Sequence, residues 1–278
     1  MAINSINTND GSFIALQNLA ATNAALNATQ DRISTGKKVA MPKDNGAIWA
    51  IAQNLRGASQ SINAVKNSLD RAQSTVDVAM TAGTNVSDLL LQMKEKALAA
   101  ADPALDTSSR ANLNEDFKVL RETVKKTIAN ADFNGSNMLR TNGITVRGLA
   151  NVAGTDTITV AAANLTFGGT INTIAATTTI GSNASTAASA ALLLVNASIA
   201  NVSTALARMG AQYRALALHN SFMAKLQDNL DSGVGNLVDA DLGRESARLQ
   251  SLQSRQQLGV QAASIANQST SALLGLFR

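Results

Sequence analysis

The chain offers few side chains able to do chemistry. Among its 278 residues there is no cysteine and one histidine, His219. Thiolate zinc sites, cysteine nucleophiles and metal sites needing two imidazoles are therefore excluded, and any Ser-His-Asp arrangement would have to use His219. That residue sits one residue off the helical seam of Leu216 and Met223, apolar residues spaced by seven, so it is expected at the boundary of that seam. Ser34-Thr35-Gly36-Lys37-Lys38 resembles part of a phosphate loop, but it lacks the upstream glycine and has a second lysine where a hydroxyl residue should follow. A turn between helices is the better reading. Gly233-Val234-Gly235 does not join a strand to a helix, so it predicts a helix break rather than a nucleotide fingerprint. Asp239, Asp241 and Glu245 are placed to cap a final helix and oppose its dipole rather than to hold a cation. No catalytic residue, metal ligand or cofactor is expected.

The composition points the same way. Apolar residues make up 45% of the chain but aromatics only 3%, namely six Phe, Trp49 and Tyr213. A core must then be built from small aliphatic groups. The 23 basic and 19 acidic residues are interspersed, with no basic run longer than Lys37-Lys38, which argues against nucleic acid. The first basic residue is Arg32, so a secretory leader with a charged start is not expected. The strongest apolar stretch, Ala187 to Val195, falls short of the roughly 20 residues of a membrane span. No membrane partner is expected.

Spacing then shows which elements the chain builds. Between its only prolines, Pro42 and Pro103, Leu55, Ile62, Leu69, Val76, Gly83, Leu90 and Ala97 recur every seven residues. A second row runs three positions on, from Ala58 to Ala100, and together they form an a/d seam of more than six heptads. At 1.5 Å per residue this helix is roughly 70 Å long. Alternating large and alanine-sized positions suit close helix-on-helix packing. After Pro103, Asp106 or Thr107 caps a second helix striped by Leu113, Phe117, Leu120, Val124 and Ile128, which ends at Ala131-Asp132-Phe133-Asn134-Gly135, where Asn-Gly signals a turn. It folds back on the first helix.

From Thr141 to Thr186 the sequence is rich in Thr, Ala, Asn and Gly, and helical periodicity disappears. Ile144 to Val146, Thr157 to Val160, and the pair Leu165 to Phe167 and Thr170-Ile171 are expected as short strands. The heptad returns at Val195, Val202, Met209, Leu216, Met223, Leu230 and Leu237. Two distant helices of matching length and pattern predict a mainly α fold, an antiparallel helical coiled-coil rod with a small β-hairpin region in its middle. The ends are charge-poor: residues 1–30 carry only Asp10, and residues 256–277 carry no charge. Leu19, Leu26 and Ile33 stripe one end, Leu258 and Ile265 the other. Such helices should order when copies surround them, so the chain is expected to self-associate.

These residues resemble a known family. Arg32-Ile33-Ser34-Thr35-Gly36-Lys37-Lys38-Val39 with Lys43-Asp44-Asn45, the opening Ile3-Asn4 to Asn9, Phe133-Asn134-Gly135 with Leu139, and Met209-Gly210-Ala211 are similar to bacterial flagellin. So is the ending: Val238-Asp239-Ala240-Asp241, Glu245, Gln256-Gln257-Leu258-Gly259, Ala266-Asn267-Gln268 and Leu273-Leu274-Gly275-Leu276-Phe277-Arg278.

The resemblance implies a terminal coiled-coil domain of residues 1–40 and 236–278, forming an inner tube and packed through Leu19, Leu26, Ile33, Leu258, Ile265, Leu273 and Leu274. It implies an outer-tube helical domain of 41–140 and 187–235, with 141–186 as its hairpin region and no large outer domains. Leu55, Ile62, Leu69, Val76 and Leu90 would face Val195, Val202, Met209, Leu216, Met223 and Leu230 across the seam.

A structural subunit of an extracellular flagellar filament follows, exported unfolded and polymerised with itself or paralogous flagellins into a propeller. Its implied partners are the flagellar export apparatus, a secretion chaperone, the filament cap and hook-filament junction proteins. Many flagellins also present a host-receptor patch, which maps here to Leu91 to Ala97. Gln92 and Lys96 replace the usual residues and Lys94 and Glu95 keep only part of the pattern, which implies weak or absent receptor activation. A hook-filament junction protein and a secreted coiled-coil adhesin stand as alternatives.

Overall fold

The computed structural model describes residues 9–181 and 185–275, the side chains as far as 268. The elements in order are α1 (Asp10–Thr35), α2 (Gly46–Ala100), α3 (Thr107–Ala129), β1 (Val146–Leu149), β2 (Thr157–Val160), α4 (Ser185–Val238) and α5 (Leu242–Gly275). The chain divides into two compact units, residues 1–57 with 229–278, and residues 58–228. The divisions expected near 40 and 236 thus fall inside the first unit. The reason is a small apolar cluster of Val39, Ala52, Val234 and Val238, with Trp49, Leu55 and Leu237 packed against it.

In the second unit, α2 and α4 run antiparallel. The Asn220 amide donates to Asp70 Oδ1 at 2.6 Å and the Gln227 amide to Asn63 Oδ1 at 3.1 Å. Farther along, Gly83 meets Leu206 so closely that a Cβ there would lie 2.6 Å from Leu206 Cδ2. Advancing along α2 means retreating along α4. Ile62, Leu69, Val76 and Leu90 on α2, and Val195, Val202, Met209, Leu216 and Met223 on α4, are all buried. Removing one such aliphatic side chain from water contributes about 1.5–3 kcal/mol.

The turn between α2 and α3 is locked by a residue the spacing did not single out. Arg110 is buried, and its guanidinium donates to the carbonyls of Ala100, Asp102 and Leu105 at 3.0, 2.8 and 3.1 Å. The Ala100 carbonyl at the end of α2 is thereby satisfied, and the two turn carbonyls are drawn to the same cation. Asp106 is the N-cap of α3, accepting from the Ser109 backbone and hydroxyl. Phe117, Val124 and Ile128 form the buried face of α3.

β1 and β2 pair antiparallel, with Val146 opposite Val160 and Leu149 opposite Thr157. The hairpin sits against the helices at Gly148, where a Cβ would lie 2.8 Å from Leu69 and 3.3 Å from Leu216. The expected strands at Leu165–Phe167 and Thr170–Ile171 do not form. Asparagine side chains take the hydrogen bonds that a strand partner would have supplied: Asn164 Oδ1 accepts from the Thr166 backbone, and the Asn172 amide donates to the Leu165 carbonyl. The break expected at Gly233-Val234-Gly235 is also absent, since α4 continues to Val238. Gly235 instead makes room for Asp239, whose carboxylate oxygen lies 2.8 Å from where a Cβ would be.

Candidate assembly surfaces

In the first unit, α1 and α5 pair antiparallel through small and polar groups. The side chain of Asn9 caps α1 by accepting from Ser12 N, and its amide donates to the Ala266 carbonyl at 2.7 Å. Ser12 Oγ donates to Asn267 Oδ1, and the Gln256 amide to Asn23 Oδ1. Gly259 admits Leu19, whose Cδ1 lies 3.3 Å from the position of a Cβ there. At the far end, Arg32 meets the buried Glu245 at 3.3 Å. Gly36 ends α1 in the left-handed conformation, φ +68°, so Ser34 and Thr35 close the helix and the chain turns at Gly36 to Lys38. From there Lys38 N donates to Val238 O, and Ala240 N to Gly36 O. Asp241 caps α5 by accepting from Arg244 N.

This pairing shifts the expected seam. The face of α5 turned toward α1 carries Leu252, Gly259 and Ala266, one position on from Leu258 and Ile265. Leu258 is 63% exposed and Ile265 68%. On α1, Leu26 is buried and Leu19 and Ile33 half-buried, whereas Phe13, Ile14 and Leu16 are exposed. Each end therefore finds its first partner in the other end of the same chain, and the large apolar side chains are left outward. Monomers rarely expose so many large apolar side chains together unless the surface binds something. Leu273 and Leu274, like residues 1–8 at the opening, lie outside the described side chains.

The remaining candidates resolve simply. His219 is half-buried, its Nε2 2.8 Å from the Ala150 carbonyl and its ring tilted on Phe222, so it ties α4 to the end of the hairpin. Among the described residues no group of Asp, Glu, His or Cys is placed to hold a metal ion. Leu55 and Leu230 are half-buried members of the first unit. Gln92 and Glu95 are exposed on α2 and Lys94 is half-buried.

One expectation needs correction: by length and composition α4 does contain a stretch apolar enough to cross a membrane. The apolar character does not stop at Val195, because α4 runs on unbroken through further alanine and aliphatic residues. Only 28% of that stretch is buried. Val195 and Val202 are fully buried, whereas Leu193 remains 72% exposed.

Paired helices that meet through small, polar and a few leucine side chains and leave large apolar groups outside are those of a structural chain with a surface suited to other chains. Comparison with known proteins agrees. The bacterial flagellin N-terminal helical region matches residues 6–143, and the C-terminal helical region matches residues 192–277. The chain belongs to the bacterial flagellin family, a family of structural proteins rather than enzymes. It is 54% identical to flagellin FljN and 52% to flagellin FljO of Caulobacter vibrioides, over the full length of both chains in each case. It is 35% identical to a Brucella melitensis flagellin, covering 99% of each chain.

Two solved structures share the fold. One is a putative flagellar hook-associated protein from Vibrio parahaemolyticus, with a TM-score of 0.59 and 16% identity, covering 70% of this chain and all of that one. The other is Bacillus cereus flagellin, with a TM-score of 0.50 and 20% identity, covering 56% of this chain and 88% of that one. At such identities the hook-associated likeness speaks for the fold alone. The full-length relatives identify the chain as a structural subunit of the bacterial flagellar filament.

Proposed function

We propose that the α1–α5 pair is the surface through which copies join, and that residues 58–228 form the part stable before assembly. The observation that carries this reading is the outward placement of Phe13, Ile14, Leu16, Leu258, Val260 and Ile265 on helices whose mutual contact uses only a few leucines, Leu19, Leu26 and Leu252, among Asn, Ser, Gln, Gly and Ala and the Arg32–Glu245 pair. Burying those six against neighbouring copies supplies the apolar area that the pair lacks on its own. The contact joins different surfaces of successive copies and does not close, which yields a filament.

The subunit reaches the growing tip unfolded through the flagellar export apparatus, held beforehand by a secretion chaperone, and adds beneath the filament cap. Paralogous flagellins join the same filament, which is anchored by hook-filament junction proteins and turned as a propeller. Gln92 and Lys96 leave the Leu91 to Ala97 patch with weak or no activity toward the host receptor. A reporter-cell response at nanomolar protein would contradict that. Assembly itself is tested by truncation: the chain lacking residues 256–278 is expected to remain monomeric with sheared filament seeds. Lengthening at the full-length rate would refute the assignment of α5.

A further inference from the structure

The second unit carries two charged surfaces whose outermost groups make no ion pair among the described residues. One is a cleft of about 230 Å³ between α2 and the hairpin, into which Arg71 of α2 and Arg147 of β1 both face, beside Phe133 and the 43% exposed Ile144. Neither guanidinium is within ion-pair distance of a carboxylate among the described residues. Two cations brought to one cleft from different elements repel each other, and an anionic group between them removes that cost.

The other surface is a stripe on α2. Asp88, Leu91, Glu95 and Leu98 follow one another at steps of three and four, and all four are exposed, the leucines by 50% and 58%. No cation among the described residues is within ion-pair distance of Asp88 or Glu95; Lys96, which attracts Glu95 from the next position, is itself paired with Asp116. Cleft and stripe are complementary in kind, since each joins two like charges to an apolar flank. They cannot meet within one chain. Seventeen residues of continuous helix separate Arg71 from Asp88, about 25 Å at 1.5 Å per residue, and the two project roughly 100° apart around the axis.

We propose that the Asp88–Glu95 stripe of one copy docks in the Arg71–Arg147 cleft of the next, a head-to-tail contact between second units that sets the register of assembly. The inference rests on the filament reading and adds to it a charge-specified contact away from the terminal helices. Because stripe and cleft are different surfaces, each copy that docks presents a fresh stripe or cleft, and the contact repeats without closing. Opposite charges at its edge steer the incoming copy and penalise wrong registers by like-charge contact.

Two full-length double variants test the pairing, Arg71→Glu with Arg147→Glu and Asp88→Lys with Glu95→Lys. All four positions are exposed, so circular dichroism and thermal midpoint should match those of the unsubstituted chain. With seeds sheared from unsubstituted filaments, each variant alone is expected to elongate at least about tenfold more slowly, because like charges then meet. An equimolar mixture is expected to recover, because the two variants can alternate with every cleft facing a stripe of opposite sign. Should either double variant perturb the fold, Arg71→Gln with Arg147→Gln removes the cations without adding charge and should still slow elongation. Normal elongation of each variant alone, or a mixture as slow as its components, would overturn the pairing. So would a cleft that titrates with inorganic phosphate while its loss leaves elongation unchanged, which marks a free-anion site instead. If the unsubstituted chain forms no filaments at all, the filament reading itself fails.

Discussion

Single residues set how closely the elements approach. Gly148 brings β1 onto the helices where Leu69 and Leu216, both fully buried, leave no space for a methyl group. Gly148→Ala is therefore expected to destabilise the second unit by about 1–3 kcal/mol, read as a lower midpoint in chemical unfolding. Asp106 makes a pH-dependent contribution. The Ser109 hydroxyl and backbone hold its carboxyl below the ordinary value of 3.8, so the folded state favours the charged form. That stability is complete above the ordinary value and is lost as pH falls through the lowered one. Asp106→Asn should then lower the thermal midpoint at neutral pH, and the gap from the unsubstituted chain should close on acidification; a gap that persists would show the charge to be irrelevant to the cap. Arg110 gave little sign of its role in the sequence, where it reads as one more surface cation just inside a helix. Its burial follows from the tight turn at Pro103, which aims three carbonyls at one point.

Whole elements divide by where their apolar faces are satisfied. The α2 and α4 seam is matched within the chain, so replacing the buried Leu69 by Asp should cost about 4 kcal/mol or more and unfold the second unit. Leu258→Asp acts at a 63% exposed position, so the monomer should keep its thermal midpoint to within about 0.5 kcal/mol while losing assembly. Loss of both in the second variant would mean that α5 depends on Leu258 for folding. The difference also explains what the sequence disclosed. Heptads of large aliphatic residues marked α2 and α4 because large residues meet there. On α5 the same rule selected Leu258 and Ile265, yet the face toward α1 is Leu252, Gly259 and Ala266, where close approach and amide hydrogen bonds replace bulk. Hydropathy carries little trace of such a contact. The segment from Leu165 to Ile171 alternates like a strand but is held by Asn164 and Asn172, whose side-chain hydrogen bonds no periodicity reports.

At the scale of the molecule, a chain with one histidine, no cysteine and few aromatics has little means of catalysis and ample means of packing against copies of itself. Membership in the flagellin family was legible in short motifs at both ends, and the fold in its heptads. The surfaces proposed to join copies were not, because what distinguishes Leu69 from Leu258 is the presence of a partner in the chain rather than residue type. The central claim is that the outward apolar faces of α1 and α5 exist for neighbouring copies. Electron microscopy of purified full-length chain, incubated with sheared seeds beside the Leu258→Asp variant, tests it most directly. Long filaments are expected from the first, and unextended seeds with folded monomer from the second; filaments of equal length from both would contradict the claim.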